Sequence, residues 1–188
     1  MRTGPLPPEV ERRQTLPHGR ALAYGRLVAF GLLIGLLVAV LALSVPVGFE
    51  VIGLLGAVLA AVLLIFCISP LFTAHQVMRS RLILRQGWYF RAVLPFEDVV
   101  SVESAETLAS HRVPLGIHRP LGRPILYVTA GRTGLVRVTL VRPRRFLQAF
   151  GLAASEVVFD VADVRAFFEA YEQRRQLLAP VEADRPDA

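Results

Sequence analysis

Arginine supplies all 21 basic side chains of this chain, with no lysine present. Its planar, permanently charged fork matches phosphate and carboxylate oxygens, so clustered arginines are the first place to look for chemistry. One group comprises Arg79, Arg81 and Arg91, set among alternating apolar residues. The other is Arg142-Pro143-Arg144-Arg145, running directly into Phe146-Leu147. Both suit an anionic membrane surface, which attracts a basic residue by about 1 kcal/mol. The plainer readings stand beside this one: arginines splayed into water, and a solvated turn before a short helix opened by Pro143, with Phe146 and Phe150 turned inward. Coding bias also explains an all-arginine composition, so arginine usage alone is not a phosphate signal.

Other reactive types lead nowhere so specific. His111 and His118 bracket Val113-Pro114-Leu115-Gly116, but their spacing matches no common metal-ligand pattern, and no cysteine or close carboxylate completes a set. The only cysteine, Cys67, lies in an apolar run where desolvation opposes its thiolate, and it has no intrachain disulfide partner. His75 reads as a residue at the end of that run, at an interface. No Gly-rich phosphate loop, G-x-S-x-G elbow or H-E-x-x-H helix occurs. The expectation is a non-catalytic protein with no metal and no cofactor. The net charge of +6 suits anionic headgroups or nucleic acid. Nucleic acid is disfavoured, because the aromatics fall on expected core faces rather than between exposed arginines.

Two apolar stretches, 27–49 and 51–74, must position whatever the arginines do. Each exceeds the roughly 20 residues an α-helix needs to cross a hydrocarbon core. Spans of about 22–45 and 50–74 therefore form a hairpin (21–76), turning near Pro46 and Gly48. Arg2, Arg12, Arg13, Arg20 and Arg26 precede it, Arg79, Arg81, Arg85 and Arg91 follow it, and the turn has no basic residue. By the positive-inside rule both termini and the globular part are cytoplasmic at an inner membrane. Residues 1–20, Pro- and Arg-rich, are expected to be disordered, as are 179–188. Ala42-Leu43-Ser44 loosely resembles a signal cleavage site, but cleavage there would leave almost nothing before the second span. Small residues recur at four-residue spacing: Gly31, Gly35 and Ala39, then Gly53, Ala57 and Ala61. Such rows let helices approach closely in lipid, within the hairpin by preference and otherwise in a dimer. With only Glu50 and Cys67 ionisable between the flanks, transport by this chain alone is not expected.

The part at 77–178 alternates like β-structure. Residues 79–84 and 88–94 form a hairpin through Arg85-Gln86-Gly87. A three-residue loop separates polarity best, pairing Leu84 with Trp88, Leu82 with Phe90 and Arg81 with Arg91, with Gly87 left-handed. Leu82, Leu84, Trp88, Phe90, Ala92 and Leu94 then face inward, and Arg79, Arg81, Ile83, Tyr89 and Arg91 outward. Like charges at Arg81 and Arg91 need a relieving anion or water. Further strands are expected at 99–104 and 156–160, and a hairpin of 125–130 with 135–141 turns at Gly131-Arg132-Thr133-Gly134. In it Ile125, Tyr127, Val136, Val138 and Leu140 share a face. A helix follows, begun near Asp160 or Asp163, with Val164, Phe167, Phe168, Tyr171 and Leu178 along one side. The link 105–123 is either a mobile binding loop or hides a short strand.

Leu82-Ile83-Leu84-Arg85, Gly87, Pro95 and Asp98-Val99-Val100-Ser101-Val102, just after a two-span hairpin, resemble the bacterial pleckstrin-homology-like membrane proteins. The resemblance covers 21–178 by arrangement and 80–103 by residue pattern. It implies an α+β membrane protein: a transmembrane hairpin, then an antiparallel barrel or sandwich closed by a C-terminal helix. It implies no catalytic residues. The expected function is a membrane-anchored interaction module meeting a bilayer with anionic headgroups or a protein partner. The alternative is an accessory subunit, or a homo-oligomer, assembled through the Gly/Ala rows.

Overall fold

The chain passes into its first apolar helix from one strand and leaves the second helix into that strand's neighbour. The computed structural model describes residues 14–44, 48–106, 113–147 and 151–178. β1 (Gln14–Leu16) precedes helix α1 (Ala21–Ser44). Helix α2 (Phe49–Val62) continues through a π-helical turn, Leu63–Ile68, and a 3-10 turn, Ser69–Phe72. β2 (His75–Val77) then pairs antiparallel with β1, Gln14 opposite Val77 and Leu16 opposite His75. The hairpin is thus an insertion between adjacent strands. Ala21–Leu41 and Glu50–Phe72 are long and apolar enough to cross a membrane, and their side chains are almost wholly unburied. Residues 14–16, within the segment 1–20 expected to be disordered, form a strand, because β1 has a partner in β2.

β3 (Arg81–Gln86) and β4 (Phe90–Pro95) complete a sheet ordered β1-β2-β3-β4. After a 3-10 turn at Phe96–Asp98 come β5 (Val99–Ser104), β6 (Gly116–His118), β7 (Ile125–Thr129), β8 (Leu135–Phe146) and β9 (Leu152–Asp160). These form a second sheet, β5-β8-β9-β7-β6. Helix α3 (Val164–Leu178) is capped by Asp163, whose Oδ1 accepts the Ala166 N–H at 2.9 Å. Leu82, Leu84, Phe90 and Leu94 of the first sheet share one core with Leu126, Val136, Val138 and Phe159 of the second, and α3 adds Phe167, Ala170 and Tyr171. The fold is α+β with two sheets, and no closed barrel forms among the described residues.

The link 105–123 contains the short strand β6, and Ala105 and Val113 pack with Tyr127, Leu135 and Val158 on the second sheet's other face. That face needs a cover, which accounts for the length of the link. Strands β7 and β8 do not form the expected hairpin. β9 lies between them, parallel to β7 and antiparallel to β8. Val157, Val158 and Phe159 are fully buried, as an unbroken apolar run on a central strand should be. The connection 130–134 crosses the end of β9, where the Val161 N–H donates to Gly134 O at 2.9 Å. Ile125 and Tyr127 therefore face away from Val136, Val138 and Leu140.

The β3–β4 register also differs from expectation. The loop has three residues and a left-handed Gly87 (φ 63), but it is Gly87-Trp88-Tyr89, so Leu82 pairs with Leu94, Leu84 with Ala92 and Arg81 with Pro95. The shift is even, which keeps Leu82, Leu84, Phe90, Ala92 and Leu94 on the core face. Trp88 moves into the loop and is 59% exposed, while Ile83, expected outside, is buried. Residues 142–145 are neither turn nor helix start but the far half of β8, Arg144 opposite Ala154. Expectations for Arg2, Arg12, Arg13, Pro46, His111, Phe150 and the tail 179–188 fall outside the described residues, as does that for the Leu178 side chain.

Three buried polar groups tie the hairpin to the domain. The Asp160 carboxylate, fully buried, accepts the Gly19 N–H and the Ala130 N–H, each at 2.6 Å. A Cβ on Gly19 would stand 2.6 Å from Gly131 Cα, so only glycine passes there. His75 is not interfacial but 1% exposed, its ring 5.2 Å from that of His18, and its Nδ1 accepts the Arg85 N–H at 3.1 Å. Burial lowers the His75 pKa to about 3, the neighbouring His18 pushes the same way, and the Asp160 backbone weakly opposes. Burial raises that of Asp160, against its two N–H donors and His18.

A histidine depressed from 6.5 in the unfolded chain to about 3 in the fold favours folding fully above pH 6.5 and progressively less as pH falls toward 3. Asp160 opposes this trend only below its own raised pKa. Acidifying from pH 6.5 to 5 should cost about 2 kcal/mol through His75, read as a falling unfolding midpoint. His75→Gln, which keeps an acceptor for Arg85, should flatten that dependence.

Candidate functional site

Pro70 organises the foot of the second helix by what it lacks. With no N–H it cannot serve the carbonyl four or five residues back, Phe66 or Ile65. Unpaired carbonyls are costly in apolar surroundings. Side chains supply both donors: Ser69 Oγ donates to Ile65 O, and Arg26 from α1 donates to Phe66 O at 2.9 Å. The same Arg26 Nη1 donates to Tyr89 Oη at 2.8 Å, and the Phe66 and Tyr89 rings lie 5.1 Å apart. One guanidinium therefore joins α1, the π-helical turn and the β3–β4 loop. Beyond this contact the helices leave an apolar cleft of about 320 Å³, lined by residues such as Ile34, Leu37, Leu55 and Leu59.

The loop is pinned to the helix foot. Thr73 Oγ1 accepts the Gly87 N–H at 2.9 Å and Ser69 Oγ accepts the Trp88 N–H at 3.0 Å. A Cβ on Gly87 would meet Ser69 Oγ at 2.6 Å and the Tyr89 ring at 2.5 Å, so glycine is required by contact as well as by φ. These contacts explain the register: they hold Gly87-Trp88-Tyr89 as the loop and turn Trp88 outward. Phe72 is 77% exposed and Tyr24 is also exposed, and together with Trp88, Arg20 and Arg26 they form a collar at the hairpin base. Aromatic and basic residues at the ends of apolar helices are the pattern that sits at a lipid–water boundary.

The expected arginine sites are redistributed. Arg91 faces Arg85 directly across the sheet, beside the collar, instead of Arg81. Arg81 lies about 20 Å along β3 from the loop, at a rise near 3.3 Å per residue. There, with Ser80, Glu97 and Arg175 of α3, it lines an open cleft of about 780 Å³ floored by Val93, Pro95, Phe96 and Val99. No carboxylate lies within ion-pair reach of Arg81 or Arg175 among the described residues. Arg79 is exposed in the preceding bend. Arg144 is ion-paired with Asp98 at 3.0 Å, whereas Arg142 and Arg145 are exposed on β8. His118 is exposed, and no group of three metal-ligating side chains is found among the described residues.

Gly31, Gly35, Ala39, Gly53, Ala57 and Ala61 do not pack within the hairpin. All are exposed, and a Cβ on Gly31, Gly35 or Gly53 would meet nothing within 4 Å. The cleft between the helices is lined instead by Ile34, Leu37, Val38 and Leu41 on one side and by Ile52, Leu55 and Leu59, with the small residues Gly56 and Ala60, on the other. Sequence reasoning also missed Arg26 as a bridge, Arg175 in the cleft and the His18–His75–Asp160 cluster. Pro70, four residues after Phe66, was a readable signal for the first. Nothing local marks the others, which are brought together from distant parts of the chain. No family model, curated protein or solved structure matches this chain.

Arg26→Leu should remove both bridging hydrogen bonds and leave the Phe66 carbonyl unserved. A loss of about 1.5–3 kcal/mol is expected for bonds to a charged group, measured by unfolding in mild detergent. Arg26→Lys, a point charge without the fork, should recover only part of it.

Proposed function

We propose that this chain is a membrane-anchored, non-catalytic interaction module. Its hairpin crosses the bilayer twice and its β-domain stands at the surface of one leaflet, in the manner of the pleckstrin-homology-like membrane proteins it resembles. The single observation that carries the reading is the insertion of two exposed apolar helices between the paired strands β1 and β2. Two strands hydrogen-bonded to each other lie on one side of any membrane, so the helices between them make an even number of crossings. The arginines flanking the hairpin, against none in its turn, favour the cytoplasmic side of an inner membrane. The Arg81–Arg175 cleft is then the surface presented to a partner, while the collar meets anionic headgroups.

Trp88 is the only tryptophan and reports its own depth. In vesicles of phosphatidylcholine and phosphatidylglycerol, lipids brominated near the glycerol should quench Trp88 more than lipids brominated near the chain end. Equal insensitivity to both, or protein that stays in solution without detergent, would reject the anchored reading.

A second reading, an accessory subunit of a larger membrane complex, is favoured by the outward position of the small-residue rows. Because a side chain at Gly31 or Gly35 meets no neighbour, Gly31→Leu with Gly35→Leu should leave the unfolding midpoint unchanged. The same variant should lose any stoichiometric membrane partner on co-purification. A partner retained in full dismisses this alternative.

A further inference from the structure

We infer that Arg85 and Arg91 form a clamp for a phosphate-ester anion at the hairpin base, the anion being that of a phospholipid headgroup with net negative charge, in which no choline cation competes with the arginines for the phosphate. The two residues are direct cross-strand partners on the sheet face opposite the core. Such partners have Cβ atoms about 5 Å apart, where two like charges repel unless something negative lies between them. Neither arginine has a carboxylate within ion-pair reach among the described residues. Arg85 Nε is moreover buried with no acceptor, a donor taken from water and left unserved. A tetrahedral anion accepting from the terminal nitrogens of both guanidinium groups removes the like-charge juxtaposition.

Position argues for a lipid source, which rests on the membrane-anchored reading. Arg85 and Arg91 each stand two residues from the loop 87–89, hence no more than about 7 Å from it. That loop is hydrogen-bonded to Ser69 and Thr73 at the end of the second helix. The headgroup layer on one side of a bilayer is roughly 5–7 Å thick, so both side chains reach phosphate depth. Arg26, bonded to Tyr89 Oη, adds positive charge at the loop, and Trp88 in the same loop is exposed. Arg81, farther along β3, has the open cleft instead and does not belong to the clamp.

The test uses the full chain in nanodiscs of phosphatidylcholine with increasing phosphatidylglycerol, following Trp88 emission, with inorganic phosphate as the free-anion probe. The wild-type response should saturate with the anionic lipid. Arg85→Gln with Arg91→Gln should require about tenfold more of it, the loss expected for charge-assisted hydrogen bonds. Arg142→Gln with Arg145→Gln should respond as wild type. Millimolar phosphate that suppresses the wild-type lipid response supports one shared phosphate site. Phosphate that saturates the Trp88 change without phosphatidylglycerol assigns the site to a free anion and overturns the lipid source. An unchanged lipid response in the Arg85/Arg91 double variant, or an equal loss in the control, overturns the clamp. Relief of repulsion should leave the double variant no less stable than wild type in phosphate-free buffer, so unfolding does not explain a lost response. Retention in the nanodisc and quenching by brominated lipid report the anchored reading separately, and neither should change in the double variant.

Discussion

Gln14, Thr15 and Leu16 pair with Val77, Gln76 and His75, and this short antiparallel ladder holds the two feet of a long apolar hairpin together. The geometry of the molecule depends on it. Three residue pairs are a weak ladder alone, so the fold reinforces it from every side. Asp160 grips Gly19 and Ala130, the Ala162 N–H donates to Pro17 O, and the Arg174 guanidinium reaches Gln14 at 3.3 Å. The Leu22 N–H donates to Ala130 O, so the first turn of α1 is bonded to the domain as well. The hairpin is therefore braced at its base and does not hang from a free linker.

The same base concentrates unusual local chemistry. A π-helical turn and a proline leave carbonyls that only side chains can serve, and Arg26 and Ser69 serve them. By bonding the β3–β4 loop as well, Arg26, Ser69 and Thr73 decide which residues of that loop turn outward. Packing at the foot of a helix thus sets a strand register, and the register decides which arginines stand opposite each other. The pairing of Arg85 with Arg91 is a consequence of that chain of constraints. It is absent from any local reading of 79–94.

Much of the architecture could be read from periodicity alone. The two apolar runs, the alternation in β3 and β4, the strand at 99–104 and the Phe167–Tyr171 helix face are local patterns, and local patterns survive folding when burial alone decides them. The β7–β8 hairpin failed for an instructive reason. Glycines at 131 and 134 suit a turn, but the unbroken Val157-Val158-Phe159 run needs cover on both faces, which places β9 between the two strands. Proximity in the chain lost to burial. His75 was misread likewise, because its burial depends on β1, β9 and His18, none of them local to it.

From residue order alone follow two helices long and apolar enough to cross a membrane, a β-rich body after them, and an excess of arginine on the hairpin's flanks. Hydropathy, alternation and charge are properties of short segments, and they need no knowledge of what lies across the core. Which arginines meet, which histidine is buried and which glycines face outward were settled only in three dimensions. Each of those depends on contacts between segments far apart in the chain, where register, close approach and the demand that every buried carbonyl and N–H find a partner select one arrangement among many.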